Sequence, residues 1–201
     1  MNAPGPLGRA RRGASYRGWT SLTAVGSAET GHTGVLHAGA QLSHRGWVVA
    51  LTLAGAPRTD LFAQRPDRPG RLLAVQVKAE QGGGFFLGRE LAEPEQTPEG
   101  IEEWFILVSL RDAEERPSFY VLPRAHIAAA VGTGDKCFGG SYLQLGSKNF
   151  GDYRDAWDDL ERGPRQAAWR LPRWHWGWRS DWEGADQVGM PPEPPADAPD
   201  V

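Results

Sequence analysis

Cysteine is almost missing from this chain: Cys137 is the only one in 201 residues. That excludes a disulfide framework and a cluster of thiolate metal ligands. A long apolar run is missing too. The longest, Trp47 to Ala56, is about half of what a membrane-spanning helix needs. Neither sign of charge dominates, the formal net charge being -3. No global basic field therefore announces nucleic acid, which argues against a non-specific coat protein but leaves a local basic groove open. Lysine is scarce: the basic residues are mostly arginine, and only Lys78, Lys136 and Lys148 are lysines. No internal repeat is present. The length suits one domain with a real core rather than two.

The charge that exists is unevenly placed. Residues 1–20 carry Arg9, Arg11, Arg12 and Arg17 and no acid, whereas from Ser180 onward every charged residue is an acid. Residues 1–28 read as a disordered basic arm on a cytoplasmic protein. They superficially suit an organelle transit peptide, and they lack the apolar core of a secretory signal. Residues 29–162 read as the folded domain. Residues 163–188 form a Trp/Arg-rich extension packing on the domain or on a partner, and 189–201 a disordered acidic, Pro-rich tail.

Within the domain, Leu36 and Ala40 recur at helical spacing over 31–45, with Gly46 as a stop. Strands are expected at 47–53, 58–63, 72–78, 104–110 and 119–122, with a short one at 85–87 after a flexible Gly82-Gly83-Gly84 joint. Pro123 suits the start of a helix carrying Ile127, Ala128 and Val131. A Gly-rich stretch over 132–151 follows, holding an edge strand at 142–145. A helix over 152–160 would align Tyr153, Trp157 and Leu160. The order is a mixed α/β layer with a hairpin at its centre.

That hairpin holds the chemistry. Asp60 and Phe62 face away from Leu61 and Ala63, and on the next strand Gln76 and Lys78 share a face because side chains alternate. An acid, an amide and an amine would then converge on one patch. Two readings of the pair are open: a structural ion pair on a sheet edge, or a site that holds a divalent cation and activates water beside a phosphate.

Asp60 and Gln76-Val77-Lys78 on consecutive strands, within this element order, resemble the PD-(D/E)XK nuclease superfamily. The likeness is narrower to its small stand-alone members with a Gln-x-Lys motif. Leu42 and Gly46, Arg58-Thr59-Asp60-Leu61, Val75-Gln76-Val77-Lys78, Phe119-Tyr120-Val121-Leu122-Pro123 and the run Asp152 to Leu160 carry it, over about residues 31–162. The resemblance implies a restriction-endonuclease-like αβββαβ core, a mixed central sheet flanked by helices. It also implies a Mg²⁺- or Mn²⁺-dependent endonuclease acting on nucleic acid, with DNA as the expected substrate and a homodimer as a compatible state. By the same resemblance Asp60, Gln76 and the Val77 carbonyl would hold the metal, and Lys78 would position or deprotonate the attacking water. The family's helical Glu falls on Val35, which cannot bind metal, and Glu80 is the nearest replacement ligand on the same strand face. The alternative is a catalytically degenerate module of the same fold that binds DNA or a partner protein.

The Trp/Arg-rich segment has three readings: base stacking with phosphate neutralisation, a partner interface, or packing on its own domain. The candidate nucleic-acid or partner contacts are Arg170, Arg173, Trp174, Trp176 and Trp178 of this segment, together with Arg58 beside the hairpin. The histidines lack zinc-pair spacing and read as surface or capping residues. The loop Gly132-Thr133-Gly134-Asp135-Lys136 lacks the ending of a phosphate-binding loop.

Overall fold

The computed structural model describes residues 26–53, 58–92, 98, 100–111, 115–138 and 142–171. Helix α1 (Ser27–His44) opens the chain, followed by strands β1 (Val48–Leu51), β2 (Leu61–Gln64), β3 (Leu72–Glu80) and β4 (Phe85–Gly88). A 3-10 turn (Arg89–Ala92) leads towards β5 (Ile101–Ser109), β6 (Ser118–Pro123) and helix α2 (Arg124–Phe138). Strand β7 (Tyr142–Leu145), a 3-10 segment (Ser147–Tyr153) and helix α3 (Asp158–Arg162) complete the described elements.

Five strands form one mixed sheet in the order β1-β2-β3-β5-β6, and β4 pairs with β7 in a second small sheet. Strands β1, β2 and β3 form an antiparallel meander, β3 runs parallel to β5 from Leu72↔Ile101 to Glu80↔Ser109, and β6 returns antiparallel to β5. This is the expected mixed sheet with helices on its two faces, hairpin included. The crossover between the parallel strands uses β4 and a 3-10 turn, and the helix on that face, α2, comes after β6.

Each face of the sheet carries its own core. On one side Ala38 and Leu42 of α1 pack with Leu61, Leu73, Val75, Trp104, Ile106 and Val108. On the other, Phe105, Leu107, Tyr120 and Leu122 pack against Ile127, Ala128 and Val131 of α2 and against Phe85 and Leu87 of β4. Residues 104–110 are buried throughout, as a strand covered on both faces must be.

Helix α1 stops where the sequence says it should. Gly46 takes φ +85°, its N–H donates to the Ser43 carbonyl, and Trp47 N–H donates to the Leu42 carbonyl at 3.1 Å. This is a Schellman stop, and buried Trp47 and Leu42 supply its apolar contact.

Four expectations change. The strand expected over 58–63 starts only at Leu61, because Arg58 turns the chain at φ +67° and leaves Asp60 just outside it. Helix α2 runs on through Gly132 and Gly134 to Phe138, where a loop is expected from 132. Local glycine content yields here to a helix anchored by buried Ile127, Ala129 and Val131. The residues 82–84 form a pinned turn rather than a loose joint, for the reasons given below. The single helix over 152–160 is broken: Arg154 is extended and Asp155 takes φ +53°. The break sends Tyr153 into the α2-side core and Trp157 and Leu160 into the α1-side core, so the three never share a helical face.

Candidate functional site

Strands β2 and β3 part company at Asp60, and the way the backbone is satisfied there defines the site. Leu61 pairs with Val75, so Asp60 comes level with Gln76. Asp60 N–H still donates to the Val75 carbonyl at 2.9 Å. Beyond that bond the backbone ladder ends, and the Asp60 side chain takes over as acceptor: Val77 N–H donates to its Oδ2 at 2.6 Å. The backbone before it is diverted towards β1. Thr52 Oγ1 donates to the Thr59 carbonyl at 2.7 Å and to the Asp60 carbonyl at 3.1 Å. Two residues upstream, exposed Arg58 sits in the left-handed region at φ +67°, which aims the chain into this corner.

Asp60 therefore has one carboxylate oxygen fixed on the central strand, while the other receives no hydrogen bond among the described residues. Gln76 and Lys78 follow on the same face of β3, and Asp60, Gln76 and Lys78 are all half-buried. Neither the Gln76 amide nor the Lys78 ammonium has a hydrogen-bond or ion-pair partner among the described residues. Asp60 and Lys78 do not pair with each other, so the structural ion-pair reading finds no support here.

Val35 lies partly buried on α1 and packs against the core, so no carboxylate occupies the helical position. Glu80, the expected replacement, is only 7% exposed. Its two oxygens are engaged: Ser109 Oγ donates to one, and Gly84 N–H donates to the other at 3.1 Å. Its position on β3 follows the expected face, yet its role is to hold the turn that follows. Among the described residues no three His, Cys, Asp or Glu side chains gather as a metal set. The donors that remain are one carboxylate and neutral oxygens. Such a set suits a hard cation that keeps waters and completes its shell with substrate phosphate, so the residues present fit Mg²⁺ in that limited sense.

The expected contacts of the C-terminal segment divide. Arg170 is committed to the body: its guanidinium pairs with Asp159, which is 1% exposed, and lies 5.6 Å from the Tyr153 ring centroid. Trp169 and Leu171 are buried in the α2-side core. Arg173, Trp174, Trp176 and Trp178 lie outside the described residues.

The reading of the histidines as surface or capping residues fails at His126. It is 1% exposed, its Nδ1 lies 3.0 Å from Tyr153 Oη, and Trp169 stacks edge-on at 4.6 Å. Burial pulls its pKa down to about 3, helped by the nearby Arg170 charge, and burial likewise raises the Tyr153 phenol well above its usual range. The signal that could have found it is the apolar run around it, Ala125 to Val131, in which an unpaired histidine needs a partner.

No family model matches the chain, and no curated protein matches it. Among solved structures it is similar to a bacterial homing endonuclease, at 22% identity and TM-score 0.43, over 70% of this chain and 96% of that one. It is also similar to a Holliday junction resolvase from the archaeon Archaeoglobus fulgidus, at 21% identity and TM-score 0.36, over 48% of this chain and 74% of that one.

Proposed function

We propose that this protein is a Mg²⁺-dependent endonuclease, with DNA as its substrate and with Asp60, Gln76 and Lys78 as its site. One observation carries the reading: these three groups converge where β2 leaves β3, and none of them is spent on another. An amine left without a counter-charge in a half-buried position costs desolvation that an ion pair would have offset. A phosphate supplies the missing counter-charge.

Asp60 and Gln76 would hold the cation, with the Val77 carbonyl as a further donor. When bound, it supplies charge stabilisation at the phosphate and a more acidic water. The protein's own residues do the rest. The Val77 N–H fixes one Asp60 oxygen and so aims the other. Lys78 places a positive charge beside the scissile phosphate and orients the attacking water.

A second reading is a binding module of the same fold, favoured by Val35, which puts an apolar side chain where a second carboxylate would sit. The two separate on supercoiled plasmid and on single-stranded DNA, each in Mg²⁺ and in Mn²⁺. Asp60→Asn is the informative variant because asparagine can still accept the Val77 N–H. Cleavage by the wild-type chain should fall about 10²- to 10⁴-fold in Asp60→Asn and in Lys78→Ala. A folded wild-type chain that cuts neither substrate would leave only the binding module.

A further inference from the structure

The carboxyl end of β3 opens into a cleft of about 540 Å³, lined by Glu80, residues 82–84, Arg111 and Ser147 among others. We propose that this cleft binds a backbone phosphate of the nucleic acid, next along the strand from the one at Lys78, with Arg111 as its cation. The inference rests on the nuclease-fold reading above and adds to it a residue and a place.

Three observations carry it. The first is Arg111 itself, which is exposed and has no hydrogen-bond or ion-pair partner among the described residues. Five other arginines of the domain, Arg65, Arg68, Arg71, Arg162 and Arg170, each sit on a carboxylate. Arg116, Arg154 and Arg165 are exposed and unpaired among the described residues as well, but Arg111 is the arginine that lines this cleft. A guanidinium left unpaired on a cleft wall suits an anion with several oxygens.

The second is the turn. Gly82 and Gly84 take φ +87° and +98°, and a Cβ on Gly84 would lie 3.0 Å from the Leu145 carbonyl oxygen. Gly82 and Gly83 are exposed, so the cleft wall is bare backbone that a phosphate can approach closely. The turn is also held in place. Glu80 accepts from Gly84 N–H on one side, and the Gln144 side-chain amide donates to the Gly83 carbonyl on the other. Because both Glu80 oxygens are engaged and the side chain is buried, Arg111 is the unpaired charge facing the opening.

The third is distance. Glu80 lies two residues past Lys78, about 7 Å along the strand. A duplex strand places a phosphate about every 3.4 Å of axis, so a backbone with one phosphate at Lys78 has another within a step or two, at the cleft.

The test uses the full chain, a fluorescently labelled short DNA duplex, EDTA to prevent cleavage, and anisotropy read across a salt series. Arg111→Gln should weaken binding roughly three- to tenfold on every sequence and reduce the salt slope by about 1. Arg111→Lys should restore the slope, since charge rather than the guanidinium fork sets it. Asp60→Asn should lose cleavage in Mg²⁺, and in EDTA Arg111→Gln should weaken binding on the Asp60→Asn background as it does on the wild type, so the two readings fail separately. Unchanged affinity and slope in Arg111→Gln would overturn this inference and leave the nuclease intact. A wild-type chain that binds no duplex would overturn this inference too, and the cleavage assays on plasmid and single strand then decide the nuclease reading by themselves. Inorganic phosphate that raises the melting temperature of the wild type but not of Arg111→Gln, without competing with duplex, would mark a site for free phosphate and overturn the assignment.

Discussion

At the scale of single residues, the corner at β2 and β3 separates groups that look alike in the sequence. Asp60 and Glu80 are both acids near Lys78, and both sit beside Gly- or turn-rich stretches. Asp60 keeps one oxygen unengaged among the described residues, whereas Glu80 uses both, on Ser109 and Gly84. Their variants should therefore part company. Glu80→Ala leaves the Ser109 hydroxyl and the Gly84 N–H unsatisfied in a buried place, and should cost about 1–3 kcal/mol of unfolding free energy in urea. Asp60→Asn, which can keep its bond to Val77, should cost little. A stable Glu80→Ala would mean that the turn is not held by this carboxylate. The alternation of β3 placed Gln76, Lys78 and Glu80 on one face from sequence alone. Which of them was already spent depended on Ser109, far along the chain, and on a turn backbone, and neither leaves a periodic signature.

At the scale of elements, the close approach of α1 to β3 sets where the corner lies. Gly34 rests on the strand so tightly that a Cβ there would lie 2.5 Å from the Ala79 Cβ and 3.6 Å from Val77 Cγ1. Nothing larger than hydrogen fits without moving the helix. Gly34→Ala should then destabilise the chain by about 1–3 kcal/mol, although alanine is the better helix former. A gain in melting temperature would show that α1 can ride outward freely. The effect should reach the site as well, because Val77, which Gly34 also approaches beside Ala79, is the residue whose N–H holds Asp60. Elements whose signal is local were legible: the stop at Gly46, the β2–β3 hairpin, and the buried run of β5. The helix expected over 152–160 failed because Tyr153, Trp157 and Leu160 recur at helical spacing yet belong to opposite faces of the sheet. The left-handed turn at Asp155 that splits them has no glycine to mark it. A 3.6-residue period cannot distinguish one apolar face from two cores reached through a break.

Across the whole molecule, charge is arranged by end. At the start of β3 the cations are matched. Arg71 grips Glu102 through two bonds at 2.8 and 2.6 Å, donates to the Leu160 carbonyl, and joins β3 and β5 to the end of α3. Arg65 and Arg68 pair with Glu161 nearby. At the carboxyl end, Lys78 and Arg111 have no such partners among the described residues. One end of the sheet is a structural clasp; the other presents positive charge without a net basic chain. The clasp has a counterpart on the opposite face, where Trp169 to Leu171 is bound into the core. Arg170 N–H donates to Tyr153 Oη at 3.0 Å, which leaves the phenol proton for His126 Nδ1 and assigns His126 as the neutral acceptor. Protonation would turn His126 Nδ1 from acceptor to donor, break the bond it receives from Tyr153 Oη–H, and set a buried cation beside the Arg170 charge. With its pKa lowered to about 3 in the folded chain against 6.5 unfolded, the unfolded state takes up a proton first as pH falls. The stabilisation is complete above pH 6.5 and is lost downward through that window, at about 1.4 kcal/mol per pH unit. Urea unfolding at pH 7 and at pH 4.5 should show about 3 kcal/mol of loss from this histidine. Carboxylates titrate over the same range, so His126→Gln is the control: it should be less stable at pH 7 yet lose that much less on acidification. Equal acid losses in the two proteins would mean that His126 takes up its proton in the folded chain as readily as in the unfolded one.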